Sequence, residues 1–430
     1  MVVSKTKISA LSLFRLKVLS ISLSLLIGFF LVGCGSENID EENEYKVEGV
    51  KISFFDADLD FTSSTIEPIG KVNITDIAKK LGISNAVYAA SGKSVILDNY
   101  DLTENVNFYA VQDVKEIATR GDLDSVRSGL NGKYILVKDI ELNDVAWSPI
   151  GQFTGIFNGN FHKITGLWTD TTSNQIGFFS TISDAKIKNL GIEIAKGKQL
   201  KGGQYVGGIA GRMSGSSSIV NSYVAGDLTG SNAAGGIVGE IANTASIKNS
   251  YSAGSIKGTE RVGGIVGHLT NTASVKYTYS TADVTGSSNY VGGIVGGTDN
   301  GGKASLENSY SKGAVSGSSS VGGVVGWGNG IIKNNAAINP SIKGTGSNIN
   351  RVVGQNPNVV SGNIARSGLN SGSSINFGDN NIYSGVGKED GAFFLEETYK
   401  DLGWEFGESD AKPWKIDENS SLPYFYWEDL

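Results

Sequence analysis

Apolar and polar positions follow different rhythms in successive parts of the chain. From Val18 to Val32 only serines and one glycine interrupt a run of apolar side chains. Between Lys51 and Phe61 the two classes alternate, broken only at Phe54-Phe55 and strict in Phe55-Asp56-Ala57-Asp58-Leu59-Asp60-Phe61, and a period of two predicts a half-buried strand with its acids in a solvent-facing row. Asn73 to Leu81 reads as a short helix and Val106 to Val111 as a further strand, so residues 47–114 are expected to form a small β-rich domain. At Gly121 to Leu130 the apolar residues Leu123, Val126 and Leu130 fall at helical spacing and predict a capping helix.

Beyond residue 200 the pattern becomes a repeat. Val206-Gly207-Gly208-Ile209-Ala210-Gly211 returns as glycine-glycine-aliphatic-aliphatic-glycine at Gly235, Gly263, Gly292 and Gly322, at spacings of 28, 28, 29 and 30 residues. Each motif is followed by a second element, Asn221-Ser222-Tyr223, Asn249-Ser250-Tyr251, Tyr277-Thr278-Tyr279, Asn308-Ser309-Tyr310 or Asn334-Asn335-Ala336. A third follows, as in Asp227-Leu228-Thr229-Gly230 and Ser255-Ile256-Lys257-Gly258. Three short strands per period, bounded by turn residues, describe a three-faced coil that cannot bury its own apolar side until a copy stacks on it about 4.8 Å away. The fold expected is therefore all-β: a right-handed parallel β-helix with about 28 residues per coil and capped ends. Ile209, Ile237, Ile265, Ile294 and Val324 would form an interior ladder, and the asparagines suit bends in the left-handed region. The glycine pairs suit corners that need either positive φ or close backbone approach.

The repeat resembles the GLUG-motif family of bacterial surface proteins. On that resemblance Asn131 to Leu142 is similar to the family's opening strand, and Trp147 to Gly151, Gly155 to Asn160 and Ile176 to Phe179 to its degenerate first coils. Ile187 to Ile192 leads into the regular repeats at 202–350, and Arg351-Val352-Val353-Gly354 resembles a worn last coil, which places the solenoid at 115–360. The tail 361–430, with Trp404, Trp414, Tyr424, Phe425, Tyr426 and Trp427, is expected to cap the open end. Tyr100 to Leu102 and Phe108 to Ala110 resemble internalin-type B-repeats, which implies a β-grasp-like module at 47–114.

Lys5, Lys7, Arg15 and Lys17 precede the first apolar run, whose fifteen residues are short for a bilayer span and fit an export signal at 1–33. Leu31-Val32-Gly33-Cys34 resembles the lipobox of bacterial lipoproteins, which implies lipidation at Cys34 and a place at the outer membrane or cell surface. Cys34 is the only cysteine, so no intrachain disulfide is available. Residues 34–46, with Glu37, Asp40, Glu41, Glu42 and Glu44, read as an acidic tether. Past residue 33 there are 32 basic and 43 acidic residues, a net of -11 that disfavours nucleic acid as a partner.

Catalytic chemistry is sparsely represented. His162 and His268 are the only histidines, read as surface turn residues; there is no HExxH, so the peptidase activity of metallopeptidases that carry GLUG repeats is not implied. Asp56, Asp58, Asp60 and Glu67 mimic an EF-hand spacing, but Phe61 stands where that loop needs glycine. Asp299 and Glu307 resemble the acidic clusters of pectate-lyase-like β-helices without a basic partner in fixed spacing. No catalytic residue, metal or cofactor is therefore assigned, and the chain is expected not to be an enzyme. Serine, threonine, asparagine and tyrosine columns along a stiff shaft suggest a recognition surface for glycan or protein, with the membrane as the other partner. The function expected is an anchored, adhesin-like lipoprotein; the alternatives are an envelope-assembly component and a carbohydrate-active β-helix enzyme.

Overall fold

A computed structural model describes residues 49–429 apart from 84–87, 90–99, 144, 300, 302, 356–357 and 370–382; Cys34 and the expected leader and tether lie outside the described residues. The first domain is a four-stranded sheet of Val50–Phe55, Phe61–Glu67, Tyr88–Ala89 and Val106–Tyr109. Its first strand lies centrally, antiparallel to the second and parallel to the last. The helix Ile74–Lys80 is capped by the Asn73 side chain, which accepts from the Asp76 amide, and Ile74, Ile77 and Ala78 pack with Ile52, Phe54 and Phe108.

The alternation from Lys51 to Phe61 does not make one strand. The Asp56 carboxylate accepts from the amides of Asp58 and Asp60, both at 2.9 Å, and Leu59 adopts a φ of 64°, so the chain reverses as a hairpin. Leu59 is fully buried beside Phe55, Tyr109, Val114 and Ile135, which rewards the turn over the extended form. The acids therefore stay exposed as expected, but around a turn instead of in a row along one strand. Asp58 pairs with Lys186 at 2.7 Å and Asp60 with Lys188 at 2.5 Å, fastening the hairpin to a coil of the solenoid, while Glu67 ends the returning strand.

The solenoid opens with Val114–Ile117, parallel to Lys133–Leu136. Between them lie the helix Arg120–Ser125, held by a capping box of Thr119 and Asp122, and the 3-10 turn Val126–Ser128; Leu123 and Val126 join the solenoid core. Stacked coils then build an eight-stranded sheet from Ile150–Phe153 to Val353–Gln355 and a row of two-residue strands from Val206–Gly207 to Ile349–Asn350. A third, longer sheet holds the remaining rungs, including Ser246–Gly258 and Ser274–Ser280, and pairing between coils is parallel throughout. Ile209, Ile237, Ile265, Ile294 and Val324 are all 0% exposed and stand in one column, each amide reaching the carbonyl of the next rung at 2.9 to 3.0 Å for the first four. In the early coils aromatic rings take over this filling, with Phe153 stacked on Phe179 at 4.8 Å and Trp147 on Phe178 at 5.1 Å.

Close approach, not positive φ, explains the glycine pairs. A Cβ on Gly236 would lie 2.2 Å from the Gly264 oxygen, one on Gly264 2.0 Å from that of Gly293, and one on Gly293 2.1 Å from that of Gly323. In the next coil Arg351 occupies this rung, buried to 1%, with Nη2 donating to the Gly385 carbonyl at 3.3 Å. The left-handed corners belong instead to Asn221, Asn249, Tyr277, Asn308 and Asn334, with φ between 49° and 58°, and to Tyr205, Ala233, Arg261, Tyr290 and Ser320 two residues before each glycine pair's first glycine, with φ between 26° and 65°.

Two expectations about the exterior are corrected. Ser222, Ser250, Thr278 and Ser309 are 0% exposed and face inward as a polar ladder: the Ser222 amide donates to Ser250 Oγ at 3.1 Å and the Thr278 hydroxyl to Ser309 Oγ at 3.0 Å. They satisfy buried backbone groups and are not available to a ligand. The described aromatic residues of the tail, in turn, lie along the flank of the shaft and not over its end. Strands continue through Ile364–Arg366 to Val386–Lys388, and the chain then turns back along the flank as a strap. Trp404 Nε1 donates to the Asn334 carbonyl at 2.7 Å, and Trp427 Nε1 to that of Asn249 at 3.2 Å, three coils nearer the start.

Candidate functional site

The repeat sets one tyrosine per coil at the same rung, Tyr223, Tyr251, Tyr279 and Tyr310, because the residues pair directly in register. Their rings stack at 5.1, 4.7 and 4.9 Å with interplanar angles of 7°, 4° and 4°. A column of this kind on the outside of a shaft leaves a wide apolar flank, and the strap meets that demand. Trp414 lies 4.7 Å from Trp404 and 4.5 Å from Phe425, and this cluster covers Tyr279 and Tyr310, leaving them 6% and 3% exposed. The corner asparagines supply polar anchors: Asn221 Nδ2 donates to Asp410 Oδ1 at 2.9 Å, Asn249 Nδ2 to the Asp410 carbonyl at 3.1 Å and Asn308 Nδ2 to the Gly403 carbonyl at 3.1 Å. Tyr279 donates to Glu428 at 2.8 Å and Tyr310 to the Pro423 carbonyl at 2.7 Å.

Where the strap ends, Tyr223 and Tyr251 remain half-buried and border an open groove of about 430 Å³. Gly191, Ala225 and Ala253 line it with small residues, Phe161 and Trp427 with rings, and Glu193 and Glu428 with carboxylates. Phe161 is 43% exposed at a φ of 62° and its ring lies 6.4 Å from that of Trp427, which itself stacks on Tyr251 at 5.7 Å. Glu193 accepts from the Tyr223 hydroxyl at 3.0 Å and from Lys163 Nζ at 2.9 Å. Asn221 also lines the groove; it is 5% exposed, and while its amide nitrogen is used twice, its Oδ1 has no hydrogen-bond partner. Burial pushes the Glu428 carboxyl above the usual carboxylate range despite the hydrogen bonds from the Phe425 amide and Tyr279. Burial, and after it the Glu193 charge, raises the Tyr223 phenol.

The residues singled out in the sequence lie elsewhere. His268 is on the strand Val266–Leu269 rather than in a turn, because its rung follows Arg212 and Glu240 in register; Glu240 pairs with Arg212 and, at 3.3 Å, with His268 Nδ1. Burial works against the Glu240 charge, but these two partners outweigh it and hold the carboxyl below its ordinary value. His162 Nδ1 lies 3.2 Å from Asp139. Asp299 is occupied by the amides of Asn271 and Gly301, and Glu307 stands between Lys276 and Lys333 in the ladder, so the structure gives these two acids separate tasks. Among the described residues no three histidine, cysteine, aspartate or glutamate side chains form a group able to hold a metal ion. The groove was missed in the sequence because Phe161, Glu193 and Trp427 are far apart in the chain. The signal that pointed to it was the 28-residue tyrosine period beside an aromatic-rich tail.

The solenoid is similar in fold to a solved Bacteroides ovatus chain described as a putative immunoglobulin A1 protease, at 22% identity and a TM-score of 0.52 over 73% of this chain and 93% of that one. No curated protein matches. The GLUG motif matches residues 258–285 and 287–316, two successive coils that begin just before the Gly263 and Gly292 rungs, and the chain is thus a parallel β-solenoid that carries GLUG repeats.

Proposed function

We propose that the protein is a surface-displayed lipoprotein, tethered through Cys34, whose solenoid binds extracellular glycan or protein. The observation that supports binding is the open, aromatic-walled groove beside Tyr223 and Tyr251, with the carboxylates of Glu193 and Glu428 on a rigid shaft. A pre-formed site of this volume lies within the roughly 300–1,000 Å³ usual for small-ligand pockets, and its stiff backbone has little conformational entropy left to lose on binding. The lipobox-like Leu31-Val32-Gly33-Cys34 supports the tether. One acyl chain anchors only marginally, and several chains on one cysteine would make the tether durable, each buried CH₂ contributing about 0.8 kcal/mol. Protease treatment of intact cells tests display, and metabolic labelling with a fatty-acid analogue tests the tether. Labelled, surface-cleaved protein that becomes unlabelled on Cys34→Ser is expected; labelling that survives Cys34→Ser refutes the anchor. Panels of glycans and matrix proteins test binding, and silence across both removes the binding role.

A further inference from the structure

We propose that the groove between Phe161, Tyr223 and Trp427 is a subsite for neutral sugar rings, an inference that rests on the binding role above and names the ligand class. Three features select that class. First, the strands around Gly191, Ala225 and Ala253 are already paired on both sides, Gly191 with Lys163 and Tyr223, and Ala225 with Glu193 and Ala253. An incoming peptide therefore finds no free strand edge to extend, which removes the commonest way in which extended peptides bind a sheet. Second, the charged groups lining the space are both acceptors, the carboxylates of Glu193 and Glu428, and they stand beside the Tyr223 and Tyr251 hydroxyls. Their complement is a ligand dense in hydroxyl donors. Third, rings stand beside these acceptors, and the C–H faces of a pyranose can lie against aromatic surface while its hydroxyls turn to the acids. Two carboxylates on the rim, of which only Glu193 has a lysine partner, oppose uronic, sialic or sulfated sugars.

The test uses the full-length protein in a detergent that contains no sugar, titrated with gluco-, manno-, galacto- and chito-oligosaccharides, with heparin and polygalacturonate as anionic probes and polylysine as a basic one. Saturable binding of at least one neutral oligosaccharide is expected, weakened about three- to tenfold by Phe161→Ala and about tenfold by Glu193→Gln, both outside the buried ladders. Unchanged melting temperatures show that the variants remain folded. Preference for an anionic polysaccharide, displacement by polylysine with no neutral sugar bound, or neutral-sugar binding indifferent to both variants each overturn the proposal. Silence toward saccharides in a protein that still captures matrix proteins overturns the sugar subsite alone, whereas silence toward both overturns the broader binding role with it.

Discussion

Replacing Gly264 by alanine tests the reason for the glycine pairs. The added methyl would sit 2.0 Å from the Gly293 oxygen and 2.4 Å from Ser280 Oγ. The first of these is backbone, so relief requires the two coils to separate by roughly 1 Å at this rung. That displacement falls on the Ile265 amide to Ile294 carbonyl bond, now 2.9 Å, and on the Gly264 amide to Gly292 carbonyl bond, already 3.3 Å. Loss of two inter-coil hydrogen bonds at about 0.5–1.5 kcal/mol each, added to about 1–3 kcal/mol of overpacking, gives a destabilisation of about 2–6 kcal/mol. The control is Gly297→Ala, where the nearest atoms would be the Arg261 and Trp327 side chains at 3.7 Å, an ordinary contact. There the lost chain freedom of the unfolded state should leave stability unchanged or raise it by up to about 1 kcal/mol. Urea unfolding followed by circular dichroism measures both. A Gly264→Ala midpoint equal to the parent's, or a Gly297→Ala loss as large as that of Gly264→Ala, would refute close coil approach as the cause.

Ile265→Asp puts an unpaired charge in the dry column and should cost several kcal/mol, loosening neighbouring coils together; parent-like melting would sink the inward placement. Trp414→Ala removes a fully buried ring from the centre of the strap and should cost about 3–5 kcal/mol of local stability, seen as early cleavage between residues 400 and 430 in limited proteolysis; a protease pattern like the parent's contradicts it. Glu428 has its carboxyl raised by burial, so the folded state holds the proton more tightly than the unfolded chain does. Its contribution to stability is full below the unfolded value near 4.5 and is lost as pH rises through the raised folded value. Glu428→Gln, neutral at every pH, should therefore melt higher than the parent at pH 7 and converge with it near pH 4; parallel pH profiles would be the contrary result.

The solenoid was legible because its periodicity is a direct copy of its geometry. A recurring Gly-Gly-Ile at 28 residues can only mean that the same rung returns once per coil, and the Asn221 and Asn249 columns announced left-handed corners in the same way. What failed was the assignment of polar residues to the exterior. Ser250 and Ser309 look soluble in isolation, yet each lies next to a corner whose backbone groups need partners inside, and a hydroxyl is the smallest side chain that provides them. The Asp56 hairpin was hidden for a related reason, since an acid that folds back on its own backbone and an acid that faces water produce the same alternation. The strap was seen as a cap because aromatic composition reports that a surface will be covered, not which one. Only the register of Tyr223 to Tyr310 identifies the flank as the surface in need.

A repeat protein is usually free to change length, since a duplicated or deleted unit meets the same neighbours as before. The strap withdraws that freedom. It grips Asn221, Asn249, Asn308 and Asn334 at fixed points along its own sequence, so an extra coil between any two of them would pull Asp410, Gly403 and Trp404 out of step with their partners. The tail thereby works as a ruler for the coils between Asn221 and Asn334, fixing how many of them the shaft can hold there.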